Sequence, residues 1–155
     1  MADCYSLMGE IYREKGMDKA CYEAYDSCLH YAPDNVGALN NYAYYLSLDS
    51  AADLQKAEQM SLKAVQKEPD NATFLDTYAW ILFKEKRYDD AKTIAERAIA
   101  SDSTLSSVVV EHCGDIFYMA GDTDRAMEMW QKAVLEDEDN AILRRKIELK
   151  KYIEE

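Results

Sequence analysis

The chain reads LNNYAYYL over residues 39–46 and LDTYAWIL over residues 75–82. Related stretches stand at residues 5–12 (YSLMGEIY) and 110–117 (VEHCGDIF). Each stretch places one small residue among large apolar ones. These small residues recur at intervals of 34, 36 and 35 residues: Gly9, Ala43, Ala79 and Gly114. Because self-similarity at such a period is typical of repeat proteins, the sequence predicts one structural unit repeated four times.

Two further columns of small residues keep the same period. One column is Cys28, Ala64, Ala98 and Ala133, and the other is Cys21, Ala57, Ala91 and Ala126. Around them, large apolar residues such as Tyr5, Met8 and Tyr12 fall three and four apart, so they share one helix face. Gly16 and Gly121 suit the left-handed turn that ends a helix. Each unit is predicted to be a helix pair, with Gly or Ala of the first helix facing Ala of the second.

This pattern resembles the tetratricopeptide repeat (TPR) family over about residues 2–140. The match lies in the small and bulky residues of the first helix, the alanines of the second helix, and the prolines Pro33 and Pro69 that end it. The resemblance implies an all-α, right-handed superhelical solenoid of about four antiparallel helix pairs. The predicted repeats are 2–35, 36–71, 72–106 and 107–140, with a capping helix over 141–155.

The two ends of the array differ. At the C-terminus, Leu143 and Ile147 are predicted to dock on the last repeat, with Tyr152 or Ile153 as a further candidate. The basic side chains are predicted to face water: Arg144, Arg145, Lys146, Lys150 and Lys151. The first helix begins at about residue 2 with no cap before it. We therefore expect a C-terminal part of a bacterial multi-TPR protein, and self-association through Tyr5, Met8 and Ile11 if they stay exposed.

Composition restricts the partners. The net charge is −12, from 30 acidic and 18 basic residues. Such a surface repels nucleic acid and anionic membranes and favours basic protein partners. The sequence shows no apolar run long enough to span a bilayer and no signal peptide. The compartment stays open, because core cysteines fit a reducing cytoplasm, whereas related repeats occur in bacterial envelope lipoproteins.

No motif for catalysis, a cofactor or a metal is recognisable. GxGxxG, Walker, HExxH and GxSxG patterns are missing. The four cysteines form no CxxC pair, so all four are predicted to be apolar core residues. His112, with carboxylates nearby at Asp76, Glu111 and Asp115, is the one candidate base or weak metal ligand. An ordinary polar groove residue is the preferred interpretation, and we predict no enzyme, no cofactor and no metal.

In the TPR family the first helices line the inner groove, which implies a set of partner-contacting residues. In this chain they are Asn40, Asn41, Tyr44, Asp76, Thr77, Trp80, Phe83, His112, Asp115, Tyr118 and Met119. Exposed aromatic and Met side chains are typical of binding hot spots, and Asn can pair with a peptide backbone. The alternative is that the aromatic rings pack against neighbouring helices. On the groove hypothesis, Trp80→Ala weakens partner binding and barely changes the melting temperature.

Chaperone-binding TPR domains grip a C-terminal carboxylate with a clamp of Lys, Asn and Arg. The corresponding positions here are Ser6, Glu10, Asn41, Thr73 and Thr77, and of these only Asn41 matches. Without the cations, binding of acidic chaperone tails is not expected. Three hypotheses follow: a protein- or peptide-binding scaffold, a structural segment that caps a longer solenoid whose binding site lies elsewhere, and a catalytic or metal-binding domain at His112.

Overall fold

A computed structural model describes residues 1–102 and 104–154. Within these ranges the regular structure is entirely helical, which confirms the predicted all-α class. The helices are α1 (Ala2–Glu14), α2 (Asp18–Tyr31), α3 (Val36–Leu48), α4 (Leu54–Lys67), α5 (Ala72–Lys84), α6 (Tyr88–Ser101), α7 (Ser107–Met119), α8 (Thr123–Val134) and α9 (Ala141–Leu149).

Asparagine caps fix the start of three helices. The side-chain oxygens of Asn35, Asn71 and Asn140 accept hydrogen bonds from the backbone N–H three residues on, at 3.0, 3.2 and 2.9 Å. These bonds satisfy N–H groups that have no partner within the helix. The same arrangement opens three other helices: α4 at Asp53, α7 at Ser106 and α8 at Asp122.

Left-handed residues follow three of the first helices and keep the turns short. Gly16 and Gly121 have φ of 68° and 88°, as the sequence predicts. The corresponding residue after α5 is Lys86, with φ of 64°. A lysine in this conformation costs about 1 kcal/mol, because its Cβ crowds the following carbonyl. The turn between α5 and α6 is therefore built like the other two, without their glycine.

The chain forms two compact units, Met1–Glu68 and Pro69–Glu155. In unit 1, α1 packs on α2 and α3 packs on α4, and α2 also contacts α3. In unit 2, α5 packs on α6 and α7 on α8, while α7 also contacts both α5 and α6, and α9 lies on α8. Each predicted repeat range contains one such helix pair.

The small-residue columns lie in the core of each pair. Cys21, Ala57, Ala91 and Ala126 are completely buried, as are Cys28, Ala64 and Ala98. Among the cysteines, Cys113 is buried too, but Cys4 is exposed, so the prediction that all four are core residues is wrong for Cys4. Cys4 lies five residues from the packed Gly9, which places it about 140° around the helix from that residue.

The glycines of the first helices face aromatic rings. A Cβ at Gly9 would stand 2.7 Å from Tyr25, and a Cβ at Gly114 would stand 2.5 Å from Nε1 of Trp130. The expectation that a glycine faces an alanine is therefore wrong. At the positions that correspond to these aromatic residues, the second helices of the middle repeats carry Ser61 and Ala95. The first helices of those repeats carry Ala43 and Ala79 where the others have glycine. Residue sizes on the two helices thus compensate each other.

The C-terminal helix differs from its prediction. α9 ends at Leu149, because Lys150 adopts a left-handed conformation with φ of 52°, and residues 151–154 are not helical. The predicted helix extends to 155, which lies outside the described residues. Leu143 is buried and Ile147 is half-buried, as expected of docking residues. Lys146, expected to face water, is completely buried, because two carboxylates on α7 hold its ammonium group.

Candidate functional site

The predicted groove residues divide into accessible and buried ones. Four are partly accessible: Asn41, Tyr44, Tyr118 and Met119. Seven are buried: Asn40, Asp76, Thr77, Trp80, Phe83, His112 and Asp115. Trp80, expected to stand in the groove, is only 7% exposed, because the Phe83 ring of the same helix and the His112 ring of α7 stack on it. For Trp80 and Phe83, the expectation of exposed aromatic side chains is wrong.

In unit 1, α3 presents an aromatic ring and an amide on its accessible side. Tyr44 lies beside Tyr45, with ring centroids 6.1 Å apart, and Leu48 at the end of the helix is exposed. Asn41 Nδ2 donates to Glu10 Oε1 of α1 at 3.5 Å. The neighbouring Asn40 is buried, and its Oδ1 has no hydrogen-bond partner. A buried acceptor left unsatisfied costs about 1–3 kcal/mol, so Asn40 lowers the stability of this part of α3.

In unit 2, an aromatic stack joins α5 to α7. The Trp80 ring lies 4.7 Å from the Phe83 ring and 4.0 Å from the His112 ring, nearly parallel to both. Lys84 Nζ lies 5.3 Å from the centroid of Trp80. Trp80 Nε1 is buried and has no hydrogen-bond partner. The stack therefore packs efficiently but leaves one indole N–H unused.

His112 forms a buried ion pair with Asp76. Its Nδ1 lies 3.1 and 3.2 Å from the two carboxylate oxygens. Burial disfavours the charged imidazolium, but the negative charge and hydrogen bonding of Asp76, helped by Asp115 and Glu111, raise the pKa of His112 above its ordinary value. Nδ1 of His112 is therefore paired with Asp76, and the His112 ring stacks on Trp80.

Lys146 binds a pair of carboxylates on α7, Glu111 and Asp115, which we call the carboxylate seat. Its Nζ donates to Glu111 Oε1 at 2.7 Å and to Asp115 Oδ2 at 2.9 Å. The other oxygens are also bonded, since Asn140 Nδ2 donates to Glu111 Oε2 at 3.0 Å and Trp130 Nε1 donates to Asp115 Oδ1 at 2.9 Å. The two carboxylates are four residues apart on one helix face, which lets them share a single cation.

Burial and the neighbouring charges have opposite effects on the pKa values of the groups in the carboxylate seat. Burial raises the pKa of Asp115 to about 6, although Lys146 and Trp130 oppose the rise. Burial disfavours the charged form of Lys146, but Asp115 and Glu111 outweigh it and raise the pKa of Lys146. At neutral pH the seat is therefore an ion pair, and Asp115 loses its charge as the pH falls through about 6.

Tyr152 adds a second contact near the C-terminus. Its ring meets the Phe83 ring edge-on at 5.5 Å, and Lys146 Nζ lies 5.5 Å from its centroid. We call residues 140–154 the C-terminal segment. It contacts Phe83 of α5 and Glu111 and Asp115 of α7. We call these three residues, together with Asp76, Trp80 and His112, the α5/α7 face. The segment contacts this face at a carboxylate pair and at an aromatic ring.

Two predicted residues point elsewhere. The Tyr118 ring lies 5.6 Å from Trp130 in α8, so it packs on its own helix pair. Met119 lines a cleft with residues 86–90, which comprise the end of the turn before α6 and the first residues of α6. Neither joins the α5/α7 face, although both remain partly accessible.

The sequence interpretation missed the inward position of Lys146, although the repeat register contained a signal for it. It named Tyr152 as a candidate docking residue, and the Tyr152 ring contacts Phe83 of α5. When the repeats are aligned on their small residues, one position of the first helices is occupied by Leu7, Asn41, Thr77 and His112. The corresponding position of α9 is Lys146. Three of these side chains reach a carboxylate of the preceding repeat: Asn41 reaches Glu10, His112 reaches Asp76, and Lys146 reaches Glu111 and Asp115. Extending this column into α9 indicates an inward lysine. Tyr152 follows the helix and has no counterpart in the column.

The described ranges, 1–102 and 104–154, lack two further features. They hold no group of three or more His, Cys, Asp or Glu side chains that could bind a metal ion. None of their helices combines the length and the apolar character that crossing a membrane requires.

No family model matches the sequence. A curated relative, Stress-induced-phosphoprotein 1 of Caenorhabditis elegans, is 25% identical over 107 residues, which cover 65% of this chain and 33% of the relative. The chain thus spans about a third of the length of this relative.

Solved structures match nearly the whole chain. TTC0263, a thermophilic TPR protein of Thermus thermophilus, superimposes with a TM-score of 0.76 at 13% identity, covering 97% of this chain and 81% of that one. Pseudomonas aeruginosa pilF gives 0.81 at 20% identity, covering 96% and 67%. A Parabacteroides merdae tetratricopeptide repeat protein gives 0.76 at 23% identity, covering 96% and 58%. The predicted resemblance is confirmed at the level of the fold: the chain has the TPR fold.

Proposed function

We propose that the chain is a protein-binding scaffold that holds a segment of a partner protein against the first helices of its repeats. The TPR fold supports this role, since helix-pair repeats offer extended surfaces that bind proteins. The observation that carries the proposal is on α3, where Tyr44 and Asn41 are partly accessible and Leu48 is exposed at the end of the helix.

The chemistry of α3 suits a peptide segment. A tyrosine offers a large apolar ring with a polar tip, which is why it anchors many interfaces. The accessible amide of Asn41 can pair with a peptide backbone through both its donor and its acceptor. The net charge of −12 favours a basic partner through long-range attraction.

The proposal includes no catalytic activity. The residue that comes closest to a catalytic group is His112, and its Nδ1 pairs with Asp76 beneath the stacked ring of Trp80. This pair explains why the pKa of His112 is raised, so no substrate is needed to explain it. We therefore assign His112 a structural role in joining α5 to α7.

A second candidate is that the chain terminates a longer solenoid and binds nothing itself. The observation that favours it is the exposed apolar side of α1, with Leu7 57% exposed and Met8 and Ile11 partly exposed. In this case the surface of α1 receives another repeat, and the accessible side of α3 has no partner. The two candidates thus differ in which helix is the contact surface.

Affinity capture from an extract of the source organism, with quantitative mass spectrometry, tests the proposal. We expect Tyr44→Ala to reduce recovery of a specific protein at least ten-fold. The matched control is Tyr31→Ala, which removes an exposed tyrosine from the second helix α2. Equal recovery with both variants contradicts the proposal. Loss with Leu7→Ala but not with Tyr44→Ala places the contact on α1 and contradicts the proposal.

A further inference from the structure

We infer that the C-terminal segment is a built-in ligand of the α5/α7 face, and that this face takes a matching segment from a partner. The matching segment carries a lysine or arginine and, six residues later, an aromatic residue, as Lys146 and Tyr152 do. The inference rests on the proposed function, because it names the partner chemistry for unit 2. It uses residues of α5 and α7 and does not depend on α3.

The carboxylate seat requires a cation. Glu111 and Asp115 are both buried, and Asp115 is only 2% exposed. Two buried carboxylates left without a counter-charge are strongly unfavourable, because burial removes their hydration. Whatever replaces Lys146 must therefore bring a positive charge to the same place, 2.7–2.9 Å from Glu111 Oε1 and Asp115 Oδ2.

The aromatic contact follows the cation at a fixed distance along the chain. Helix α9 ends at Leu149, and the left-handed Lys150 turns the chain before Tyr152 meets Phe83. Tyr152 and Ile153 are half-buried, whereas Lys150, Lys151 and Glu154 are exposed. The aromatic end of the segment is thus more accessible than Lys146, and it is where a competing segment can enter.

The α5/α7 face also has binding capacity that the C-terminal segment leaves unused. Trp80 is buried with its Nε1–H unpartnered, although it stacks directly on His112 and Phe83. Leaving such a donor without an acceptor is unfavourable in a buried site. A partner segment whose backbone carbonyl reaches this N–H gains a hydrogen bond that the built-in segment does not make.

Charge complementarity points to a basic partner segment. Residues 140–154 contain five basic and two acidic side chains, so the segment carries +3 while the whole chain carries −12. A basic segment therefore lies on an acidic body. Because the built-in segment is tethered, its effective concentration is on the order of millimolar, and a free partner must overcome that competition.

Fluorescence anisotropy with labelled peptides and the full chain tests the inference. The first peptide has the sequence of residues 140–154. The second is a host peptide of Ala and Gln with one Lys and, six residues later, one Tyr, and the third replaces that Lys by Gln. Each is titrated with the wild-type chain, with Tyr152→Ala, and with Lys151→Ala as the control at an exposed residue of the same segment.

We expect the host peptide to bind Tyr152→Ala at least five-fold tighter than the wild-type chain or Lys151→Ala, because the competing segment is loosened. Replacing its Lys by Gln should weaken binding at least five-fold. Equal binding of the two host peptides, or no gain in Tyr152→Ala, overturns the inference. Binding of the 140–154 peptide alone also overturns it, since the segment is then only a cap.

The wild-type chain gives a second measurement that does not depend on a variant. Hydrogen exchange at residues 150–154 should accelerate when the host peptide is bound, and unchanged exchange at saturation overturns the inference. Concentration-dependent dimers of Tyr152→Ala would make a second copy the occupant and overturn it too. A failure in any of these leaves the Tyr44-dependent capture unaffected, so the proposed function is judged separately.

Discussion

Gly114 lies directly against the indole ring of Trp130, so that a methyl group on Gly114 would stand 2.5 Å from Nε1. Gly114→Ala should therefore lower the free energy of unfolding by about 1–3 kcal/mol, because the ring must move within a packed core. The cost should shrink when Trp130 is also replaced by Ala, as chemical denaturation of the single and double variants will show. The matched control is Gly37→Ala in α3, where the nearest atom is 3.6 Å away and no loss of stability is expected. Similar losses at both glycines contradict the packing argument.

Lys146 should be more important for stability than any exposed lysine of the C-terminal segment. Lys146→Met leaves Glu111 and Asp115 buried without their cation, which typically costs about 3–5 kcal/mol. Lys151→Met removes the same charge from an exposed position and should change stability little. Urea denaturation of the two variants is the measurement. Adding Glu111→Gln and Asp115→Asn to Lys146→Met should recover part of the loss, and no recovery means that the charges are not its cause.

The ion pair of His112 and Asp76 should make stability depend on pH in a predictable direction. Because the folded state raises the pKa of His112, the contribution is fully present below the ordinary histidine pKa of about 6.5 and is lost as the pH rises through the raised pKa. The difference in melting temperature between the wild-type chain and His112→Gln should therefore be larger at pH 6 than at pH 9. His30→Gln, at an exposed histidine, is the control. A difference that grows with pH contradicts the pairing.

The two tryptophans should respond differently to loss of their indole N–H. Trp130 Nε1 donates to Asp115, whereas Trp80 Nε1 has no partner. Trp130→Phe should therefore destabilise the chain by about 1–3 kcal/mol more than Trp80→Phe, measured by chemical denaturation. Equal costs would mean that the bond to Asp115 contributes nothing.

Truncation of Trp80 should also lower stability. Trp80→Ala removes a ring that stacks on Phe83 and His112, and such losses typically cost about 3–5 kcal/mol. The groove hypothesis drawn from the sequence gives the opposite expectation, an almost unchanged melting temperature. A thermal melt of Trp80→Ala distinguishes the two, and a shift of less than a degree contradicts the buried stack.

The fold was predictable because its determinants are local and periodic. The small residues, the glycines before the turns and the helical spacing each recur within one repeat, and the structure places Cys21, Ala57 and Gly16 where these patterns predict. The pairing of a glycine with an aromatic residue of the second helix could also have been inferred. Gly114 and Trp130 are separated by the same number of residues as Gly9 and Tyr25. That comparison needs the two helices aligned across repeats.

The candidate site was less predictable because its contacts join residues far apart in the sequence. Lys146 reaches Glu111 and Asp115, which precede it by 35 and 31 residues. Helical periodicity places a lysine on a face but does not say which element covers that face. Tyr152 lies beyond the end of α9, where the periodicity stops, and its contact with Phe83 depends on the turn at Lys150.

The most direct test of the scaffold proposal is site-specific photo-crosslinking in the source organism. A photoreactive amino acid at position 44 on α3 should give one dominant crosslinked protein, because Tyr44 is proposed to contact the partner. The same group at position 62, an exposed leucine on the second helix α4, should give none above background. The same crosslinked proteins from both positions, or no crosslink from position 44, would contradict the proposal that the first helices bind a partner.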